Sequence, residues 1–238
     1  MINPTPVRNL PTIRPTPTTQ KTSHSFEGQD SIILSLLRRK TQGTYLDIGA
    51  AHPTVNSNSY RLYLIGWTGH AVDANQDYSP LWEKYRPKDM FISALISDTK
   101  RLFTFTQFDN SELSSADPET TSRYGSRPEN KAIKTTSRES TTIEELVESG
   151  ALSKHYDIIC IDVEGLDLNV LNSCLNAKLF PLLFVVELKN YSLRAKRSNT
   201  IIDTLDNHGY SLIAKTPLDG FFIKRDEAQF NWIPSEML

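Results

Sequence analysis

The feature that most constrains this chain is a repeated alternation of short apolar strand-like runs with short helical runs. Thr44–Ile48 (TYLDI) reads as a buried strand, and Ser57-Asn58-Ser59 opens a helix through Leu64 that Gly66 closes. Thr68–Val72 is a second strand, Ser79–Tyr85 a helix stopped by Pro87, and Asp89–Ile96 a third strand. Tyr156–Val163 and Leu182–Leu188 are two further strands, with helices expected over Leu166–Asn176 and Asn199–Asn207. Strands separated by helical segments pair in parallel, with helices covering both faces. The end of the chain reads differently. Gly209–Lys215 and Gly220–Arg225 are joined by the four residues Thr216-Pro217-Leu218-Asp219. A parallel crossover needs a dozen or more residues, so these two strands are antiparallel if they pair. The expected fold is α/β, a mostly parallel sheet with a C-terminal antiparallel hairpin.

The flanks and composition set the limits of this domain. Residues 1–25 hold five of the 13 prolines and six threonines, and read as a flexible tail ahead of a single domain over 26–238. The tail carries Arg8, Arg14 and Lys21 and no acid, which leaves 23 basic against 28 acidic residues in the domain. That balance argues against a nucleic-acid partner. No run approaches the ~20 apolar residues of a membrane span. The N-terminus lacks the apolar core of a secretory leader, and Cys160 and Cys174 lie outside any CxxC. Both are expected as reduced thiols in a cytoplasmic protein. Asp30 or Ser31 is expected to cap the first helix. Thr141-Thr142-Ile143-Glu144-Glu145 resembles a capping box. Between them, residues 107–140 are polar and unpatterned, and are expected to be a flexible insertion or a substrate loop.

Chemistry concentrates where strands end. In open α/β sheets, ligands bind beyond the carboxyl ends of the strands. The first strand runs into Asp47-Ile48-Gly49-Ala50-Ala51-His52-Pro53. Gly49 lets the backbone approach a ligand, and Ala50 and Ala51 keep the turn small. A dinucleotide fingerprint needs glycines where Ala51 and Thr54 stand, which disfavours a nicotinamide-dependent oxidoreductase. An acid beside a single glycine suits S-adenosylmethionine, whose charges are an ammonium and a sulfonium. The second strand ends in Val72-Asp73-Ala74-Asn75, with Asp73 placed to grip a ribose through its hydroxyls. At the fourth strand, Asp162-Val163-Glu164-Gly165 puts two carboxylates on one face, poised for general-base work or for a divalent ion. Asp167 is read as complementing a helix N-terminus. Glu187 ends the fifth strand facing the same cleft, and His52 is the histidine that sits beside a motif.

The runs GQDSIIL, YLDIGAAHPTVNSNSYRLYLIGWTGHAVDAN, FISALISD and DIICIDVEGLDLNVLNS resemble the FkbM-type S-adenosylmethionine-dependent methyltransferases, over Phe26 to Leu188. The SNSY and GW pairing and the IDVEG segment are the most specific parts. The resemblance implies a class I methyltransferase fold, with a seven-stranded sheet whose last strand is antiparallel. It places Asp47, Gly49, Ala50 and Ala51 in the cofactor turn, and Asp73 with Ala74 at the ribose. Ser93 and Ala94 fall on the adenine side, and Asp162 and Glu164 in the acidic motif. Asp73 is shorter than the glutamate usual in the family, and Ala51 stands where an Asn or His is common. The implied reaction is O-methylation of a hydroxyl on a sugar, polysaccharide or related natural product. Asp162 or Glu164 is then the base, with His52, Asn58 and Glu187 around the acceptor. No resident metal is expected. A non-catalytic binding protein that keeps the fold is the remaining alternative.

Overall fold

Apolar runs with side chains of both parities buried become the inner strands, and the polar ones are pushed to the rim. The computed structural model describes residues 22–38, 40–189, 191–192, 199–225 and 230. In chain order it runs α1 (Gln29–Leu36), β1 (Thr44–Ile48), α2 (Tyr60–Leu64), β2 (Thr68–Asp73), α3 (Ser79–Tyr85) and β3 (Met90–Ser93). There follow β4 (Leu102–Phe108), α4 (Pro118–Gly125) and β5 (Ala132–Glu139). The second half holds α5 (Ile143–Glu148), β6 (Ile158–Ile161), α6 (Asp167–Asn176), β7 (Leu183–Glu187), α7 (Thr200–Asn207), β8 (Tyr210–Lys215) and β9 (Asp219–Lys224).

Seven strands form one sheet in the order β3-β2-β1-β6-β7-β9-β8. The pairs among β3, β2, β1, β6 and β7 are parallel, and β9 runs antiparallel to both β7 and β8. The hairpin expected from the four-residue turn is therefore present, with β9 inserted beside β7. Strand order reverses between β1 and β6, which is the point where an open α/β sheet binds its ligands.

Alternate residues of the inner strands feed two apolar clusters, one on each face. Leu46, Ile48, Ile159, Ile161, Phe184 and Val186 pack with α5, α6 and α7. Tyr45, Ile158, Cys160, Leu183 and Val185 pack with α1 and Trp67 on the opposite face. Cys160 and Cys174 are buried and free. Each thiol is held above its ordinary pKa, chiefly by burial.

Two sequence expectations change, and a third holds. First, the stretch 107–140 is not patternless. β4 and β5 pair as a two-stranded antiparallel sheet, and α4 lies between them with Asp117 as its N-cap. The strand β5 is almost wholly exposed, so its backbone ladder and not burial holds it, which is why no hydrophobic pattern marks it. Second, neither Asp30 nor Ser31 caps α1, whose N-cap is Gly28. Asp30 is buried and accepts hydrogen bonds from Ser23 Oγ at 2.8 Å and His24 N–H at 2.7 Å. The chain is thus engaged from Ser23, ahead of the boundary expected at Phe26, while residues 1–21 of the expected tail lie outside the described residues. Third, the capping box at Thr142 and Glu145 forms as expected.

Candidate active site

The turn after β1 is squeezed between two neighbouring strands. Gly49 and Ala50 donate their N–H groups to the carbonyl of Val72 at 2.8 and 3.2 Å, and Asp162 donates its own to the carbonyl of Ile48 at 3.0 Å. Gly49 has φ +80°, and a Cβ there would lie 1.6 Å from the Asp162 carbonyl oxygen. Two cavities open on this turn. The first, about 60 Å³, is lined by Gly49, Ala51, Asp73, Ala74, Ala94 and Asp162 among others. The second, about 210 Å³, is lined by Asp47, Ala50, Asn58, Asp162, Glu164 and Glu187 among others. They share Gly49, Ala51, Glu112, Asp162 and Glu164, so they are two halves of one cleft.

At the first cavity, both Asp73 oxygens already accept backbone N–H groups, from Ala51 at 2.9 Å and Asn75 at 2.7 Å. Burial nevertheless raises Asp73 to about 6, and those two hydrogen bonds only partly offset it. A carboxyl whose folded pKa lies above its unfolded value binds its proton more tightly in the folded state. Its contribution to stability is therefore full below about pH 4 and is lost as pH rises through about 6. The shift from 3.8 to about 6 corresponds to roughly 3 kcal/mol. Urea unfolding at pH 4 and pH 7 is expected to show that loss within the larger one that the other buried acids add to, and Asp73→Asn is expected to lose correspondingly less than the native chain.

At the second cavity, Asp47 is buried at 4% exposure and accepts a short hydrogen bond from Ser59 Oγ. Burial raises its pKa, against the Ser59 bond and the nearby Arg86 guanidinium. Arg86, at 0% exposure, holds the floor of this region together. It donates to Asp89 at 2.7 Å, Tyr45 Oη at 2.7 Å, Ser59 Oγ at 3.0 Å and the Pro53 carbonyl at 3.1 Å.

The acids beyond β6 and β7 divide into held and free. Glu164, at φ +55°, accepts at Oε2 from Tyr124 Oη at 2.5 Å and Lys189 Nζ at 2.6 Å. Its carbonyl accepts from Ser115 Oγ at 2.7 Å. Lys189 Nζ also contacts Glu187 Oε1, and so bridges the two acids. Burial lifts Glu187 to about 8, aided by Asp167 and Glu164. Asp167, the first residue of α6, turns both oxygens back onto the N–H groups of Val163 and Gly165 in the preceding turn, at 3.0 and 3.1 Å. Asp162 differs: its Oδ1 is buried with no hydrogen-bond partner among the described residues. Burial raises Asp162 well above the usual carboxylate range, with repulsion from Glu187, Asp219 and Glu164 adding to it.

Of the residues singled out from sequence, Asp47, Gly49, Ala50, Ala51, Asn58, Asp73, Ala74, Ala94, Asp162, Glu164 and Glu187 line the cleft. Two do not. His52 lines neither cavity. Its Nδ1 accepts the N–H groups of Thr54 and Val55, each at 3.2 Å, so the ring closes its own turn. Ser93 is exposed, because β3 is the edge strand of the sheet, and it too lines neither cavity. Sequence reading missed Lys189, Tyr124, Arg86, and the cleft contacts of Phe105 and Glu112. The E-x-K spacing of Glu187 and Lys189 is the one signal that points to any of them, because i and i+2 share a face at a strand end.

A seven-stranded sheet with β9 antiparallel, a glycine turn at its switch point and acids at successive strand ends define a Rossmann-like methyltransferase fold. The family model described as "Methyltransferase FkbM domain" matches residues 47–212, and the chain belongs to that family. No curated protein matches the chain. Among the described residues, no helix is long and apolar enough to cross a membrane.

Proposed function

We propose that this chain is an S-adenosylmethionine-dependent O-methyltransferase acting on a hydroxyl of a sugar, polysaccharide or related natural product. The observation that carries the reading is the buried Oδ1 of Asp162, which has no hydrogen-bond partner among the described residues, beside a glycine turn at the switch point of the sheet. The residues present suit the cofactor. Gly49 lets the turn pack directly against the Asp162 backbone at the floor of the cleft, and the cleft is lined by acids that suit an ammonium and a sulfonium. Asp73 would hold the ribose, Ala74 and Ala94 the adenine side, and Asp47, Ala50 and Ala51 the amino-acid end. When bound, the cofactor supplies an electrophilic methyl group. A cytoplasmic setting belongs to the same proposal and is supported by the two free, buried thiols.

The chain's own task is to align the acceptor oxygen and take its proton. Asp162 is assigned as the base at its Oδ1, since no described residue bonds that oxygen. Glu164 and Glu187, bridged by Lys189, form a fixed wall against which the acceptor is oriented. Tyr124 carries α4 onto that wall. His52 has no part in this scheme.

The test is methyl transfer from labelled cofactor to a panel of hydroxyl acceptors. Asp162→Asn is expected to lower kcat by about 10²–10⁴-fold, the usual worth of a positioned base. The base must be deprotonated, so the native rate is expected to rise with pH through an acid limb above the ordinary carboxylate range. Asp162→Asn is expected to erase that limb while S-adenosylhomocysteine still binds. An unchanged profile removes Asp162 from the mechanism. A chain that binds S-adenosylhomocysteine yet methylates nothing in the panel favours the non-catalytic alternative.

A further inference from the structure

The wall of the second cavity is lopsided in charge. Asp47, Glu112, Asp162, Glu164 and Glu187 line it, and no lysine or arginine among the described residues does. Gln29, Asn56 and Asn110 are tied to Asp219 and Glu112, Asn58 adds an amide that serves hydroxyls in either direction, and Phe26, 68% exposed, offers an aromatic face at the rim. The fold has already answered part of this excess. On the far side of the wall, the Lys189 ammonium is gripped by Glu164 at 2.6 Å and by Glu187. The group these acids hold from behind is therefore an ammonium.

The answer is incomplete on the cavity side. Asp162 Oδ1, on the lining, is buried without a partner among the described residues; so is Oδ1 of Asp219, which is 2% exposed and pairs with Glu187 in the β7–β9 ladder but does not itself line the cavity. A buried carboxylate oxygen without a donor is costly, and a ligand that brings a donor removes that cost. A divalent ion is the weaker candidate. The three acids close enough to hold one are Asp162, Asp167 and Glu187. Both Asp167 oxygens are taken by backbone N–H groups, and Lys189 already sits on Glu187.

We propose that the second cavity selects an acceptor carrying a protonated amine beside its hydroxyls, an amino sugar or amino cyclitol, and turns away acceptors carrying a carboxylate or phosphate. This rests on the O-methyltransferase reading and names the substrate class of the same site. The ammonium faces Asp162 and Glu112, the neighbouring hydroxyls meet Asn58, and an anion meets a wall lined by acidic side chains and by no lysine or arginine among the described residues.

The test uses three ligands that differ at a single carbon: methyl 6-amino-6-deoxyglucoside, methyl glucoside and methyl glucuronide. Binding to the full chain is measured by saturation-transfer NMR, with and without S-adenosylhomocysteine. Affinity is expected to fall about tenfold at each step from cation to neutral to anion, and less steeply in high salt. Glu187→Gln is expected to narrow the span. So is Glu112→Gln, which keeps an oxygen to accept from the Asn56 amide and so does not threaten folding. Equal affinities, or a tighter anion, overturn the proposal. So does manganese that binds alone and abolishes the preference for the amine, because the missing cation is then a metal. Failure of S-adenosylhomocysteine to bind counts against the methyltransferase reading, whereas its binding beside a flat series counts only against charge selection.

Discussion

Arg86→Met is expected to cost about 3–5 kcal/mol of stability, the range for removing one partner of a buried ion pair. Urea unfolding measures it, and the fraction that stays folded is expected to lose S-adenosylhomocysteine binding. The size follows from what the guanidinium holds. Arg86 is 0% exposed, lies 4.1 Å from the Trp82 ring centroid, and ties α3 to β1 and the turn beyond it. Without it, Asp89 keeps its donors from Tyr45 and Gly69 but loses its cation, and Ser59 is no longer held against Asp47. Methionine fills much of the volume but brings no donor. Arg86→Lys is expected to do little better, because one ammonium cannot reach Asp89, Tyr45, Ser59 and Pro53 from a single point. Adding Asp89→Asn to Arg86→Met is expected to recover part of the loss by removing the stranded charge. Full stability in Arg86→Met would show that the network is incidental.

Arg86 also illustrates where sequence reading ends. It precedes Pro87 at the end of a short helix, a setting that reads as a solvated terminus, and nothing in the linear pattern says that Tyr45, Ser59 and Asp89 converge on it. The sheet was legible because its signal is local: apolar runs of strand length, helices between them, and a turn too short for a crossover. The acids at strand ends were legible for the same reason, since the carboxyl edge follows once the strands are placed. What failed was side-chain direction. His52 follows the cofactor turn directly, yet its ring accepts amides from its own loop. Ser93 ends a strand as Asp73 does, but an edge strand leaves it in solvent. The β4–α4–β5 arm was invisible because β5 is almost wholly exposed, while the buried half of β4 mixes Phe105 and Phe108 with Thr106 and Gln107 and α4 buries Thr120 and Tyr124, so no apolar period marks any of them.

Gly49→Ala is expected to be the most damaging single change in the cleft, at more than about 4 kcal/mol, a size reserved for a few mechanisms. Two effects add. The residue sits at φ +80°, where a side chain costs about 1–2 kcal/mol. Collision costs more: the new Cβ would stand 1.6 Å from the Asp162 carbonyl oxygen and 3.3 Å from Val163 Cγ1. That oxygen is backbone and cannot rotate away, so β1 and β6 must part at the switch point. Gly28→Ala separates strain from collision. Gly28 has φ +85°, nearly the same, but nothing lies within 4 Å of its absent Cβ. It is expected to cost only the conformational strain, about 1–2 kcal/mol, and to leave cofactor affinity unchanged. Equal losses in the two variants would mean that backbone strain alone governs Gly49. A loss of folding or of S-adenosylhomocysteine binding confined to Gly49→Ala identifies the contact between the first glycine turn and the fourth parallel strand's acid as what shapes the cleft.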